Sequence, residues 1–421
     1  MRFSIFTPTH RADHLIEAYE SLLLQAFADW EWVILANGTA LIPREINDPR
    51  VRVERAPDDI KGVGALKRYA CGLCRGEFLV ELDHDDLLTD DALAKIDAAI
   101  AATDADFLYS DAANFRADGT CEVYGGAWGW HAYTRTYRGR EYEVNASFVP
   151  DASSLSQIFY APNHVRVWRA STYAAAGGHD PAFAICDDQD LICRTYLSGA
   201  KFHHIPECLY LYRLHDAQTY MQRNAEIQEK QQQVANEYVY KLIAEWSRRE
   251  GLPMLDLGGA ENKVAGYLSV DLRDADIVCD ITQGLPFADS SVGCVRAVDF
   301  LEHVPHCRDS RCDHKGCAVG LMNEIYRVLA PGGWLISATP STDGRGAWQD
   351  PTHCSGWNPN SFWYYTRRQQ QRFVPGITAR FQGARIWQEF PSDWHKQHNI
   401  PYVYADLVAL KGQRQCGICE I

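Results

Sequence analysis

The run Leu82-Asp83-His84-Asp85-Asp86-Leu87 follows directly on the apolar segment EFLVEL. Carboxylates at the end of a buried strand are costly unless a cation meets them. Hard oxygen ligands spaced by one residue suit Mg2+ or Mn2+ bridging a diphosphate, and such an ion would neutralise a departing nucleoside diphosphate. Taken alone, the run reads equally as a helix-capping turn. Farther along, Asp187, Asp188 and Asp190 open a helical pattern, where acids also suit a helix N-terminus, and RLH ends on His215. A second set begins at MLDLGGA, an apolar strand running into a Gly-rich turn, with Asp271 closing the next strand, YLSVD. Glycines admit a ligand close to the backbone, and an acid at that position can take both hydroxyls of a ribose. Two glycines are few for a dinucleotide pyrophosphate, and a tight turn without a ligand is the plainer alternative.

These residues need strands to carry them. Residues 3–110 alternate β-branched or aromatic runs with helical patterns (FSIFT, HLIEAYESLLLQAF, WEWVILA, VRVER, VGALKRYACGLC, EFLVEL), which predicts βαβ units and a mostly parallel sheet. Ligands then collect at the carboxyl ends of its strands. Between Cys121 and Pro150 the chain is rich in Gly, Tyr and Trp without a helical period. It reads as an irregular acceptor-binding lid or as a twisted hairpin on the core. Residues 216–250 are helix formers with Ile227, Val234, Tyr238, Leu242 and Trp246 on one face. Gly251 and Pro253 end that helix, and a second alternating series follows.

The expected organisation is therefore α/β in two domains, residues 1–216 and 252–421, joined by a helical connector over 217–251. A chain of 421 residues, 46% apolar and 23% charged, supports two cores. With 41 basic against 55 acidic residues, the formal charge of −14 argues against a protein that wraps nucleic acid, leaving room only for a local basic groove. The N-terminus lacks the pattern of a signal peptide and no stretch suits a membrane span, so a cytoplasmic protein without membrane insertion is expected. The fourteen cysteines are then expected as reduced thiols. Cys71 with Cys74 reads as helix packing. Cys307, Cys312, His314 and Cys317 have zinc-ligand types at an uncommon spacing, and Cys416 with Cys419 forms a third cluster.

The segments FSIFTPTHRADHLIEAYESLLLQAFADWEWVILANGT and GVGALKRYACGLCRGEFLVELDHDDLLTDDAL, followed by VWRASTYAAAGGHDPAF, CDDQDLICRTYLSGAKFHHIP and LYLYRLH, resemble inverting nucleotide-sugar glycosyltransferases of family 2, which have the GT-A fold. The resemblance runs over about residues 2–216, with several motifs in the expected order. It implies that Asp83 lies near the ribose of a nucleotide-diphospho-sugar donor and Asp85 ligates Mn2+ or Mg2+, with His215 as a late metal or phosphate ligand. Thr7 and Pro8 would end the first strand in the nucleotide pocket, Arg68 would contact diphosphate or base, and Asp188 would be the catalytic base. Inversion needs one base opposite the leaving group to take the acceptor proton, and Asp187 and Asp190 are expected to raise its pKa. This chain departs from the family at Leu35-Ala36-Asn37-Gly38-Thr39, where paired aspartates before Gly-Ser are usual. Asn37 then offers an amide where a carboxylate would read the base. UDP is the first expectation for the donor nucleotide.

LDLGG, SVDL, CDITQGLPFADSSVGCVRAVDFLEHV and NEIYRVLAPGGWLISATPS resemble class I S-adenosylmethionine-dependent methyltransferases over about residues 252–345. The resemblance implies a Rossmann-like fold with Asp256, Gly258 and Gly259 beside the methionine part of S-adenosyl-L-methionine. Asp271 would hold its ribose, Asp280 and Ile281 would lie by its adenine, and Asp299 to His303 would line the transfer site. Glu261 stands where a third loop glycine is common, which also fits a non-catalytic domain. Methylating a sugar hydroxyl requires proton removal, for which His303, or Asp350 with His353, is the candidate base. Trp348, Trp357, Trp363, Tyr364 and Tyr365 suit a sugar-stacking face or the core.

The combined expectation is a bifunctional enzyme that adds a sugar to a glycan, glycoside or glycosylated macromolecule and caps it by O-methylation. Transfer to a protein or modified nucleic acid is an alternative. So are a glycosyltransferase with a non-catalytic, acceptor-docking second domain and a non-enzymatic carbohydrate-binding or assembly protein.

Overall fold

The computed structural model describes residues 1–158, 160–215, 219–307 and 314–412. Cys312, Cys416 and Cys419 of the sequence clusters lie outside them. The chain divides into two compact units, one of Met1–Gly126, Trp130–Pro150 and Ser154–Leu242, the other of Ala127–Gly129, Asp151–Ser153 and Ile243 onward.

The strands of the first unit are β1 (Phe3–Thr9), β2 (Trp30–Ala36), β3 (Val51–Arg55), β4 (Phe78–Glu81), β5 (Leu87–Leu88), β6 (Phe107–Phe115), β7 (Cys121–Glu122), β8 (His131–Tyr137), β9 (Arg140–Ala146), β10 (Arg166–Arg169) and β11 (Phe202–Arg213). They form one sheet whose main path is β3-β2-β1-β4-β10-β6-β11-β5. WEWVILA is buried at every position and FSIFTPT at all but one; strands apolar on both faces belong in the middle of a covered parallel sheet. β1 accordingly runs parallel to both β2 and β4. The acidic run leaves the carboxyl end of β4, as the alternating pattern predicts.

Two later strands complete that end. β10 lies antiparallel between β4 and β6, pairing Val167 with Val80, a register that carries Arg166 to Glu81. β11 pairs antiparallel with β5 through Leu211 and Leu87, so that residue 213 falls opposite 85. Arg213 Nε donates to the Asp85 carbonyl at 2.8 Å, and His215 follows two residues on. Of the two expectations for residues 121–150, the structure has the hairpin. β8 and β9 pair through Tyr137 and Arg140, and the turn at Arg138 and Gly139 has φ of 52° and 77°, which matches strand twist.

In the second unit β12 (Met254–Leu257), β13 (Leu268–Asp271), β14 (Ile277–Val278), β15 (Val292–Val298), β16 (Leu329–Pro340), β17 (Phe381–Glu389) and β18 (Tyr402–Ala409) take the order β14-β13-β12-β15-β16-β18-β17. The pairs from β14 to β16 are parallel, and β18 and β17 add antiparallel. Leu255, Leu257, Val270, Val295, Met322 and Leu335 lie in its core. Trp357 and Tyr365 are buried there too, whereas Trp348 and Tyr364 are exposed. The helix Thr219–Arg249 buries Ile227, Val234, Leu242 and Trp246, the expected face.

One expectation is corrected. Instead of reduced thiols throughout, the structure has a disulfide between Cys307 and Cys317. Their Cα atoms are 5.3 Å apart, inside the range that a bridge spans. Cys71 is buried on the helix Val63–Leu73, in line with packing.

Candidate functional site

At the tip of β4, the Asp85 side chain is nearly buried, and its Oδ2 lies 2.8 Å from His215 Nε2. His84 Nδ1 is 3.9 Å from Asp85 Oδ1. Asp86 points into the protein, accepting from the Tyr210 hydroxyl at 2.8 Å and the Arg213 amide at 2.7 Å. Of the acids in the run, Asp86 is thus the one with a structural task, and burial keeps its carboxyl well above the usual range. Burial pushes Asp83 up to about 7 against the opposing charge of Lys67, with Glu81 and Asp85 adding to the rise.

A second acidic cluster is built on the helix Asp187–Leu197. Asp188 accepts from Arg166 Nη1 at 2.5 Å, and Arg166 also lies 3.7 Å from Glu81. Lys67 pairs with Glu81 and stands 3.9 Å from Asp187. The charges of Lys67 and Arg166 act on both Asp83 and Asp188, so the two acids share the field of the same two cations. Lys67 reaches this position because Gly64 lets its helix touch the loop before Asp187. A Cβ on Gly64 would sit 2.2 Å from the Asp180 carbonyl oxygen. A cavity of about 170 Å3 is lined by Lys67, Arg166, Asp187, Asp188, Tyr160 and Gln231 among others.

This arrangement overturns the expectation that neighbouring acids raise the pKa of Asp188. Burial does act upward, but Arg166 and then Lys67 outweigh it and hold the carboxyl below its ordinary range. The neighbours are engaged elsewhere. Asp187 faces His179 Nδ1 at 2.8 Å; Asp190 accepts from Arg194 at 2.5 Å and from the Tyr238 hydroxyl at 2.7 Å.

The remaining predicted donor residues divide. Thr7 is buried, donating to the Leu82 carbonyl and accepting from Trp32 Nε1, which anchors β1 to the acidic run. Pro8 is half-buried near the end of β1, and Asn37, also half-buried, follows β2 with its backbone N–H donating to the Thr9 carbonyl. Arg68 is exposed and donates to the Gly177 and His179 carbonyls, so its head group ties down a loop. The residue beside it, Lys67, enters the acidic cluster instead. Lys67, Arg166, Glu81 and His164 escaped the sequence reading. A charged residue on the face of a helix turned toward the carboxyl strand ends was the available signal for Lys67; nothing local marked Arg166.

In the second unit a cavity of about 570 Å3 is lined by Asp256, Gly258, Gly259, Asp271, Arg273 and Asp299 among others, a volume typical of small-molecule sites. Asp256 is 1% exposed; Arg296 donates to its Oδ1 at 2.7 Å, while Oδ2 is buried with no hydrogen-bond partner. Gly258 has φ of 75°, and a Cβ there would meet the Phe300 ring at 2.8 Å. Asp280 and Ile281 do not line this cavity. Asp280 caps the turn Ile281–Gln283 through Thr282, and Ile281 lines a separate cavity with His314 and Lys315. Beyond Asp299, His303 and His353 meet with ring centroids 5.0 Å apart. Asp350 accepts from Thr352 at 2.6 Å.

Residues 4–155 match the profile of Glycosyl transferase family 2, and residues 254–337 match that of a Methyltransferase domain. The chain carries a family 2 glycosyltransferase domain followed by a methyltransferase domain. Its folds are GT-A-like and methyltransferase-like respectively. The O-antigen biosynthesis protein RfbC of Myxococcus xanthus is 29% identical over 219 residues, 49% of this chain and 15% of that protein. Chondroitin synthase of Escherichia coli is 24% identical over 252 residues, 57% and 33%. An uncharacterized protein of Sinorhizobium fredii, y4gI, is 27% identical over 226 residues, 50% and 22%. The chain thus spans between 15% and 33% of the length of these curated relatives. Among solved structures, S. aureus TarS 1-349 in complex with UDP-GlcNAc has a TM-score of 0.42 at 15% identity, covering 63% of this chain and 77% of that one. Among the described residues no helix is long and apolar enough to cross a membrane.

Proposed function

We propose that the chain is a bifunctional transferase. Its glycosyltransferase domain moves a sugar from a nucleotide-sugar to an acceptor hydroxyl with inversion, and its methyltransferase domain methylates the resulting glycan or glycoside. The observation that carries this reading is the meeting of Asp85 with His215, in a site where the charges of Lys67 and Arg166 act on both Asp83 and Asp188. The names of two relatives, an O-antigen biosynthesis protein and a chondroitin synthase, support a glycan acceptor.

The donor set fits a hard divalent cation, since a carboxylate and an imidazole leave most positions to water and phosphate oxygens. Asp85 and His215 would hold Mn2+ or Mg2+, which when bound supplies the charge that stabilises a departing nucleoside diphosphate. Asp83, at the end of the same strand, would bind the ribose hydroxyls. Asp188 would take the proton of the acceptor hydroxyl. Because Arg166 makes this carboxylate a weak base, it accepts the proton late, when bonding to the anomeric carbon has acidified the hydroxyl. Lys67 and Arg166 would hold these acids in place through Glu81 and Asp188.

The second domain fits S-adenosylmethionine on its own geometry. The partnerless Asp256 Oδ2 faces Gly259, where a Cβ would come within 2.5 Å of it, so the glycine keeps a polar cradle open. Asp271, which lines the same cavity, would take the ribose hydroxyls. Bound there, the cofactor supplies an electrophilic methyl group. The acceptor would be met at the cluster of His303 and His353.

A thermal-shift screen of nucleotide-sugars with Mn2+ or Mg2+ tests the first activity, because a ligand that binds the native state alone raises its melting temperature. The expected result is a shift with one nucleotide diphosphate and its sugar, dependent on the metal. If no nucleotide diphosphate shifts the protein at millimolar concentration, the glycosyltransferase assignment falls.

A further inference from the structure

In the methyltransferase domain Glu302, His303 and His353 each offer one ligand atom, all within 4.8 Å of one another. Each side chain is held by one of its polar atoms. The Glu302 Oε2 accepts from the Thr339 hydroxyl at 2.6 Å, while Oε1, on a residue 1% exposed, is buried with no hydrogen-bond partner. The Thr352 hydroxyl donates to Asp350, so its oxygen accepts from His303 Nδ1 at 3.2 Å. The Nδ1 of His353 has the Ala347 carbonyl at 3.3 Å, to which it can only donate. In the neutral form of each ring these contacts favour the hydrogen on Nδ1, which leaves the Nε2 lone pair for a metal. Outer partners on the far nitrogen are what orient imidazoles that ligate metals. The segment that supplies His353 is tied in place, since the Cys354 and Ser355 amides both donate to the Glu302 carbonyl.

We propose that Glu302, His303 and His353 form a zinc site in the methyltransferase domain. Two imidazoles and a carboxylate are a donor set that zinc takes in catalytic sites, leaving a fourth position for water or an acceptor oxygen. At about 2.1 Å from each donor, the ion would draw ligand atoms now up to 4.8 Å apart to roughly 3.5 Å, within reach of side-chain rotation because His303 is exposed and His353 half-buried. The buried, partnerless Oε1 gives a reason for a cation here rather than a plain edge-to-face contact of two rings, since a polar atom buried without a partner is costly and a metal ion would supply that partner. The site rests on the methyltransferase reading for its use, with an acceptor hydroxyl as its ligand, but not for its existence.

The test uses the full chain stripped with a chelator, carrying Asp85→Asn and His215→Ala so that the first domain takes no ion. Zn2+ is titrated, bound metal is measured after desalting, and Co2+ is substituted to record ligand-field absorption. One equivalent of zinc is expected, with a cobalt spectrum free of thiolate charge transfer. Glu302→Gln and His353→Ala should each weaken binding at least tenfold while calorimetric S-adenosylmethionine affinity stays within twofold. Zinc retained in the Glu302→Gln/His353→Ala pair, a spectrum showing thiolate ligands that vanishes in Cys317→Ser, or no bound zinc at all would overturn the proposal. Loss of S-adenosylmethionine binding by the zinc-binding parent would instead count against the methyltransferase reading.

Discussion

His215 Nε2 lies 2.8 Å from Asp85 Oδ2 across 130 residues of chain. The contact is a consequence of register, because pairing of Leu211 with Leu87 places the residues beyond β11 over the acidic run. If these side chains share an ion, Asp85→Asn and His215→Ala should each lower metal-dependent donor turnover about 100-fold or more. Melting temperatures should change little, because neither side chain supports the core. Initial rates of nucleotide-sugar hydrolysis against Mn2+ concentration decide it; full activity in both variants would remove the metal from the mechanism.

Asp188 and Arg166 predict a division between chemistry and stability. Asp188→Asn keeps a neutral isostere beside Arg166 and should reduce kcat by about 10²- to 10⁴-fold, with the donor-induced thermal shift intact. Arg166→Met strips a 2% exposed cation from Glu81 and Asp188. It should cost about 3–5 kcal/mol of stability, read as the urea midpoint. Equal loss of stability in both variants would mean that Asp188 serves only as the counter-ion.

Much of this was legible in the chain. Strands such as WEWVILA, with apolar residues on both faces, announce a covered parallel sheet, and the acidic run after EFLVEL marks the carboxyl end of one. Arg166 was not legible, because its place depends on an antiparallel strand inserting between β4 and β6, a pairing with no local signal. The same insertion reversed the expected pKa of Asp188, since sequence shows which acids are neighbours but not which cations arrive from afar. Arg68 and Lys67 differ by one position on a helix, hence by about 100° around its axis, enough to exchange a loop anchor for a buried cation. Motif order alone puts Asp280 and Ile281 beside the adenine, whereas Ile281 and the turn it opens line another cavity.

The Glu81–Lys67 pair fixes a pH dependence of folding. Burial raises the Glu81 carboxyl, but Lys67, His164 and Arg166 together bring it down to about 2 from 4.5. A depressed carboxyl contributes stability in full above its unfolded pKa and loses it as pH falls through the folded one. Its share should therefore be present at pH 6 and decline between about pH 4.5 and 2. Glu81→Gln should be less stable than the parent at pH 6, and the gap in urea midpoints should narrow on acidification. A gap that stays constant down to pH 3 would assign the loss to packing.

Gly259 and Asp271 separate cofactor binding from folding in the second domain. Gly259→Ala puts a methyl group within 2.5 Å of Asp256 Oδ2, on a carboxylate already held by Arg296, so the cradle must deform or close. Asp271 contributes differently: its Oδ1 accepts from the Leu272 amide at 2.7 Å, leaving the other oxygen for a ribose. Asp271→Ala should weaken S-adenosylmethionine by tenfold or more, about 1.4 kcal/mol, without lowering the melting temperature of the free protein. Gly259→Ala should do the same and destabilise the domain by about 1–3 kcal/mol through crowding. Isothermal titration of both variants, with a nucleotide-sugar titration alongside, distinguishes a ligand cradle from a plain βα turn: unchanged cofactor affinity in Asp271→Ala would identify the turn.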